Sequence, residues 1–346
     1  MAHAAIWSVG GYAPPHIITN DMLSRQMDTS DEWIRTRTGI RARRSAGPDE
    51  TTATLSTRAG EAALAARGFS PEDLDWVIVC TDTPEMWSPA TACFVQDALG
   101  ARRASAIDFT GGCAGFLQTL QIVSPLAEAG QTVLVIGTEV LTHAMDWHDR
   151  TTAVLFGDGA GAFLIGPASP GANGIEVVRG LSRTDGSQAT ILGKPYGGTR
   201  HPITPELVQD GKHHTIRMDG PRVFKHAVTL MSEIGRQLLE ESRLTPNDVD
   251  WVVPHQANQR IIDAVRQHLG IAPEKVFSHV ADYANTGSAS VALALADMLD
   301  REMVKSRQRL LSVAFGAGFS WASQLFFVHD VPPHRFIHEG YPAEPA

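Results

Sequence analysis

Cysteine is scarce. The chain of 346 residues has three, Cys80, Cys93 and Cys113. None is spaced CxxC, and the odd number argues against a disulfide framework and for a reducing compartment. No apolar run reaches membrane-spanning length, so no transmembrane helix is expected. The opening MAHAAIWSVGGY has no basic region followed by a long apolar run, so no secretory signal is read there. Positive charge is in deficit, with 29 Lys and Arg against 38 Asp and Glu. A net charge of −9 argues against wholesale nucleic-acid binding. A cytoplasmic protein is expected, with no nucleic-acid or membrane partner. What remains is 43% hydrophobic and 19% charged, the balance of a well-packed globular enzyme of one large or two ordinary domains.

One stretch organises the rest: Ser105 to Leu126, SAIDFTGGCAGFLQTLQIVSPL. Ala106–Phe109 reads as a strand, and Thr110-Gly111-Gly112 breaks it. Phe116, Leu117, Leu120, Val123 and Leu126 then recur at helical spacing. Cys113 stands at the joint, where the helix should begin. Unpaired N–H groups and the partial positive charge of a helix start favour a thiolate, so the thiol's pKa is expected to fall. Two readings stand at this point: a small buried cysteine at a strand–helix corner, or a nucleophile.

The chain repeats itself. SPEDLDWVIV (Ser70–Val79) is echoed by TPNDVDWVVP (Thr245–Pro254), and Leu99-Gly100 by Leu269-Gly270. AGQTVLVIG (Ala129–Gly137) is echoed by SRQRLLSVAFG (Ser306–Gly316), and the offset stays near 175 residues. That is far beyond a solenoid period. Strands alternating with helices in both copies predict an α/β fold of two related layered halves with mostly parallel sheets. The Gly- and Ser-rich segment 166–174 marks the boundary, giving halves 1–172 and 173–330 and a tail 331–346. If the halves pack about a pseudo-twofold axis, the Cys113 joint meets two further motifs. In VVPHQAN (Val252–Asn258) a strand ends and His255 follows at its carboxyl end, where α/β folds gather ligands. In DYANTGSAS (Asp282–Ser290), Asn285 precedes a helix and could equally be a cap residue. His213-His214, and His143 with His148, have no Cys or carboxylate cluster beside them, so exposed histidines are expected and no metal.

Together these motifs resemble the β-ketoacyl-acyl-carrier-protein synthase III family of the thiolase superfamily. DTSDEWIRTRTGIR, GGCAGF, FGDGAGA, PHQANQRII, NTGSASV and AFGAGFSW carry the likeness, in the family's order, from about Ile6 to Phe327. The resemblance implies a thiolase-like five-layered αβαβα fold and a homodimer. It implies Cys113, His255 and Asn285 as the catalytic set, with the backbone N–H groups of Cys113 and Ala317 as the oxyanion hole. The reaction implied is decarboxylative condensation of an acyl-coenzyme A primer with malonyl-acyl-carrier protein through an acyl-Cys113 intermediate, which initiates fatty-acid synthesis. No cofactor is expected; coenzyme A arrives as the substrate thioester. Trp33, Arg37 and Arg150 match the residues at the adenine end of coenzyme A. Gly220, Phe224 and Asn258 match its pantetheine tunnel. Lys225, Arg260 and Arg266 match the patch that docks the acidic acyl carrier protein. Of Arg35, Arg37, Arg41, Arg43 and Arg44, most read as a solvated basic face. Departures fall at Gly112, Ala284 and Ala317, and at Trp87-Ser88, which occupy the far end of the acyl pocket. Segment 182–214 matches poorly. The alternatives are a specialised-metabolism relative using an unusual primer or transferring an acyl group, and a silent partner subunit.

Overall fold

The computed structural model describes residues 3–168, 174–211 and 213–338. The expected boundary at 172/173 and the tail beyond residue 338 lie outside the described residues. The first run comprises β1 (Ala4–Tyr12), β2 (His16–Thr19), α1 (Asn20–Ser24), α2 (Asp31–Thr38), β3 (Ala42–Ser45), α3 (Thr52–Arg67), β4 (Trp76–Cys80), α4 (Thr91–Leu99), β5 (Ser105–Phe109), α5 (Gly115–Glu128), β6 (Val133–Glu139) and β7 (Gly159–Pro167). The second comprises β8 (Ile175–Thr184), β9 (Leu192–Gly193), α6 (Pro205–Gln209), β10 (Arg217–Met218), α7 (Gly220–Glu241), β11 (Trp251–Val252), α8 (Gln259–Leu269), α9 (Val280–Tyr283), α10 (Ser290–Asp300), β12 (Arg309–Gly316), β13 (Ser320–Val328) and β14 (His334–Ile337).

The strands run β5-β4-β6-β7-β1 and then β8-β13-β12-β11. Among the described residues the two groups pair through Ala5 opposite Glu176 and Ile6 opposite Ile175. Their orders match: β4 answers to β11, β6 to β12, β7 to β13 and β1 to β8. Even β5 has a counterpart, a parallel bridge from Val252 to Val276. The sheets are mixed, not mostly parallel. Apart from isolated bridges, parallel pairing among the described strands joins β4 with β5 and β6, β11 with β12, and β1 with β14. The reason lies in the connections. Only three residues, 317–319, separate β12 from β13. A link that short permits an antiparallel return and no crossover.

Helices α5 and α10 lie between the two sheets, α3 and α4 cover one outer face, and α7 and α8 the other. The sequence explains α10: every residue from Ser290 to Leu299 is buried, as the apolar run VALALA requires of a helix covered on all sides. Residues of α5, α10 and both sheets share one continuous core. β14, in the tail, pairs with β1 in parallel register.

The arginine-rich segment departs from expectation. Arg43 and Arg44 are fully buried. Arg43 donates to Ile18 O at 3.1 Å, Asn20 Oδ1 at 2.9 Å and Val154 O at 2.9 Å. Strand β3 is buried along its whole length, so both of its faces are covered, and a guanidinium surrounded by carbonyl acceptors can be buried where a bare charge cannot.

Candidate active site

Cys113 sits in a 3-10 turn, Gly112–Ala114, between β5 and α5. Gly112 has φ +61°, and a Cβ there would lie 2.6 Å from Ala317 N. A Cβ on Gly316 would lie 2.3 Å from Cys113 N. Side-chain-free residues on both loops therefore bring the nucleophile turn and the β12–β13 loop together backbone to backbone.

The thiol is not activated as a helix start would suggest. Burial pushes its pKa well above the usual value, and the nearby carboxyls of Asp82 and Glu139 push it further. The 3-10 turn also sets Cys113 two residues ahead of α5.

His255 follows β11, and its backbone N–H donates to Val313 O at 2.8 Å. Nδ1 lies 2.6 Å from Ser290 Oγ on α10. Burial pushes its pKa down to about 3, so the imidazole is neutral at physiological pH. Asn285 is fixed at three points: its N–H donates to Leu155 O at 2.9 Å, its C=O accepts from Gly157 N at 3.0 Å, and Oδ1 accepts from Gly287 N at 2.9 Å. The last bond leaves Nδ2 as the free donor. Ala284, just before it, has φ +56° and ψ −155°, a conformation that suits glycine.

Two carboxyls were not singled out by the sequence reading. Glu139 ends β6, which is apolar up to Gly137, and is buried. It accepts from Thr83 Oγ1 at 2.8 Å and Asp82 N at 3.1 Å. Burial and Asp82 push its pKa up to about 8. Asp82 faces the cavity, keeps solvent contact, and accepts from Gly112 N at 3.2 Å. An acidic residue closing a buried apolar strand was the available signal for Glu139.

Cys113, His255, Asn285 and Ala317 line one cavity of about 1680 Å³. Trp33, Arg37, Gly220, Phe224, Asn258, Arg260 and Trp87 line it too. Asn258 also caps α8, its Oδ1 accepting from Ile261 N at 3.0 Å. The Arg37 and Arg150 guanidinium carbons lie 4.8 and 5.1 Å from the Trp33 ring centroid. Arg150 stays off the wall and donates to Asp28 O at 2.6 Å. Arg260 lies 5.3 Å from the Phe224 ring. Lys225 is exposed near them on α7, whereas Arg266 is half-buried and donates to Ile271 O at 3.1 Å. Ser88 is exposed and off the wall, and Trp87 is 75% exposed. His213 and His214 are not exposed as expected. They stand half-buried on the wall with ring centroids 5.0 Å apart, because the β9–β10 segment folds over the cavity.

A model of 3-oxoacyl-[acyl-carrier-protein] synthase III matches residues 107–197, and a model of that enzyme's C-terminal region matches residues 239–327. The β-ketoacyl-[acyl-carrier-protein] synthase III of Caldanaerobacter subterraneus is 45% identical over 93% of this chain and 97% of its own. The chain belongs to the β-ketoacyl-[acyl-carrier-protein] synthase III family. It is thus a condensing enzyme of the acyltransferase type, with a thiolase-like fold. The synthase III of Symbiobacterium thermophilum is 44% identical over 92% of this chain and 96% of its own. The crystal structure of the Aquifex aeolicus synthase III superposes with a TM-score of 0.85 at 38% identity, over 94% of this chain and 99% of that one.

Proposed function

We propose that this family member primes fatty-acid synthesis by condensing an acyl-coenzyme A with malonyl-acyl-carrier protein. The observation that carries the reading is one cavity walled by Cys113, His255 and Asn285 and flanked by Trp33 and Arg37. Cys113 Sγ attacks the thioester carbon, the thiol proton passes to the departing coenzyme A sulfur, and an acyl-enzyme results. The N–H groups of Cys113 and Ala317 hold the tetrahedral oxyanion. Malonyl-acyl-carrier protein then loses carbon dioxide, and negative charge grows on its thioester oxygen. In this reading Ser290 Oγ, 2.6 Å away, donates to His255 Nδ1, which puts the ring proton on Nε2. A neutral Nε2–H and the Asn285 Nδ2–H receive that charge. The carbanion attacks the acyl carbon, Cys113 leaves as the thiolate and regains a proton, and a 3-oxoacyl-carrier protein departs.

Trp33 with Arg37 and Arg150 supports an adenine site: an aromatic face ringed by guanidinium groups suits a nucleotide. Lys225 and Arg260 give a local basic patch for the acidic carrier protein; Arg266 is turned to its own helix end. Trp87 and Ser88 belong to a partner subunit's acyl pocket in this reading. A homodimer is supported by the edge strand β5, whose Ile107 is 45% exposed. Two duplicated halves, 1–172 and 173–330, are supported by the shared strand order. A cytoplasmic setting accords with the unpaired cysteines. The names borne by the relatives favour priming over a specialised-metabolism role.

Intact-protein mass spectrometry after incubation with a panel of acyl-coenzyme A thioesters tests the reading. The wild-type chain gains one acyl group and Cys113→Ala gains none. An acyl group still bound to the mutant refutes it.

A further inference from the structure

Glu139 stands where the two halves meet. Its carboxyl accepts from Asp82 N and Thr83 Oγ1 in the first half, and Oε1 lies 2.8 Å from Ser288 Oγ in the second. Ser288 belongs to the 3-10 turn Gly287–Ala289, whose Gly287 N–H fixes the Asn285 carboxamide. A Cβ on Gly287 would lie 2.7 Å from Glu139 Cγ, so this turn rests directly on the glutamate. The same Asp82 that donates its N–H to Glu139 accepts from Gly112 N beside the nucleophile. One chain of bonds therefore runs from the Asn285 turn through Glu139 and Asp82 to Cys113.

The protons in that chain must balance. Ser288 Oγ lies 2.8 Å from Cys80 O and 2.8 Å from Glu139 Oε1. A hydroxyl has one hydrogen, and a carbonyl can only accept. With the Ser288 proton given to Cys80 O, an ionised Glu139 would face a lone pair at that distance. A protonated Oε1 donates to Ser288 Oγ instead, and both contacts become hydrogen bonds.

We propose that Glu139 is a positioning residue that works as a neutral acid, its carboxyl proton tying the Asn285 turn to the nucleophile half through Ser288. The surroundings agree: burial and Asp82 hold its proton to about pH 8. The titratable groups that face it are Asp82 and Cys80 from the end of β4 and Cys113 from the nucleophile turn; the Gly287–Ala289 turn has none. Above that pH the carboxylate loses its bond to Ser288 and adds a negative charge near Cys113, which further disfavours the thiolate.

The proposal rests on the catalytic reading for its turnover assay only; alkylation of Cys113 by iodoacetamide, followed by peptide mapping, needs no substrate. Turnover by the wild type falls above about pH 8. Glu139→Gln, which can donate to Ser288 and accept from Asp82 and Thr83, stays within about tenfold of wild type at neutral pH, whereas Glu139→Ala loses about a hundredfold. In Glu139→Gln the alkaline fall moves to higher pH, and Cys113 is alkylated several-fold faster than in wild type at pH 9. Equal losses in Gln and Ala variants, or an alkaline fall and alkylation profile unmoved by Gln, overturn the proposal. If Glu139→Gln does not fold, infrared spectra of wild type labelled with 13C-glutamate decide. A protonated-carboxyl stretch present at pH 7 and lost by pH 9.5 supports it; no such band at pH 7 overturns it. If alkylation behaves as stated but no substrate is turned over, the catalytic reading fails and this one stands.

Discussion

The three residues at the reacting centre divide the work by protonation state. His255 stays neutral down to about pH 3, so its imidazole cannot impose an acid limb near pH 6.5 on turnover. The pH profile of condensation should be flat from about 5.5 to 7.5. A limb centred near 6.5 that disappears in His255→Gln would contradict the neutral-donor role. His255→Ala and Asn285→Ala each remove one donor to the enolate oxygen, which costs about 10²–10³ in decarboxylation. Acylation of Cys113 does not use those donors and should survive within about tenfold. Carbon dioxide release and acyl-enzyme mass, measured on the same samples, separate the two steps; equal loss of both would remove His255 and Asn285 from the second step. The sequence made these residue types legible but not their charge. A helix start suggested a lowered thiol pKa, and only the packing around Cys113 shows burial and two carboxyls acting the other way. Glu139 escaped for a related reason. Its partners Asp82, Thr83 and Ser288 meet it from separate segments, and no local pattern announces that meeting.

At the scale of elements, repetition in the sequence foretold the repetition in space, because SPEDLDWVIV and TPNDVDWVVP build the corresponding strands β4 and β11. Strand direction was not legible. Apolar runs such as TVLVIG look alike in parallel and antiparallel neighbours, and the length of the connection decides. Arg43 and Arg44 misled for the same reason: a charge run reads as solvated until the carbonyls that receive it are seen. The turn before Asn285 carries a testable strain. Ala284 at φ +56° costs about 1–3 kcal/mol relative to a relaxed conformation. Ala284→Gly relieves that, loses about 0.8 kcal/mol of buried methyl and adds about 0.4–1 kcal/mol of unfolded-state entropy. The net effect in denaturant unfolding should therefore lie between a loss of about 0.8 and a gain of about 1.8 kcal/mol. Ala292→Gly, in the middle of the buried α10, has no strain to relieve and should cost about 2 kcal/mol. Similar losses in both variants would show that the Ala284 backbone is unstrained.

At the scale of the whole molecule, β5 forms one end of the large sheet. Among the described residues it has no neighbour beyond it, while β1 is paired on both sides and β14 lies along it. Proteins blunt such edges with charge, proline or a covering element. Here Ser105–Phe109 holds one charge, Asp108, and its side chain is turned inward, accepting from Thr91 N at 2.6 Å and Ala92 N at 2.8 Å at the start of α4. Ile107 faces out at 45% exposure, with Met86 and Trp87 near the cavity at 46% and 75%. An apolar, uncharged edge beside the acyl end of the cavity is suited to a second copy of the same edge, related by a twofold axis. Light scattering should then give a mass about twice 37.3 kDa for the wild type. Ile107→Lys puts a positive charge on that apolar edge in each copy and should shift the population to monomer at micromolar concentration. Because Trp87 and Ser88 close the partner's acyl pocket in this arrangement, the monomer should also lose selectivity among primers of different length. A monomeric wild type with undiminished primer selectivity would assign the exposed edge to something other than self-association.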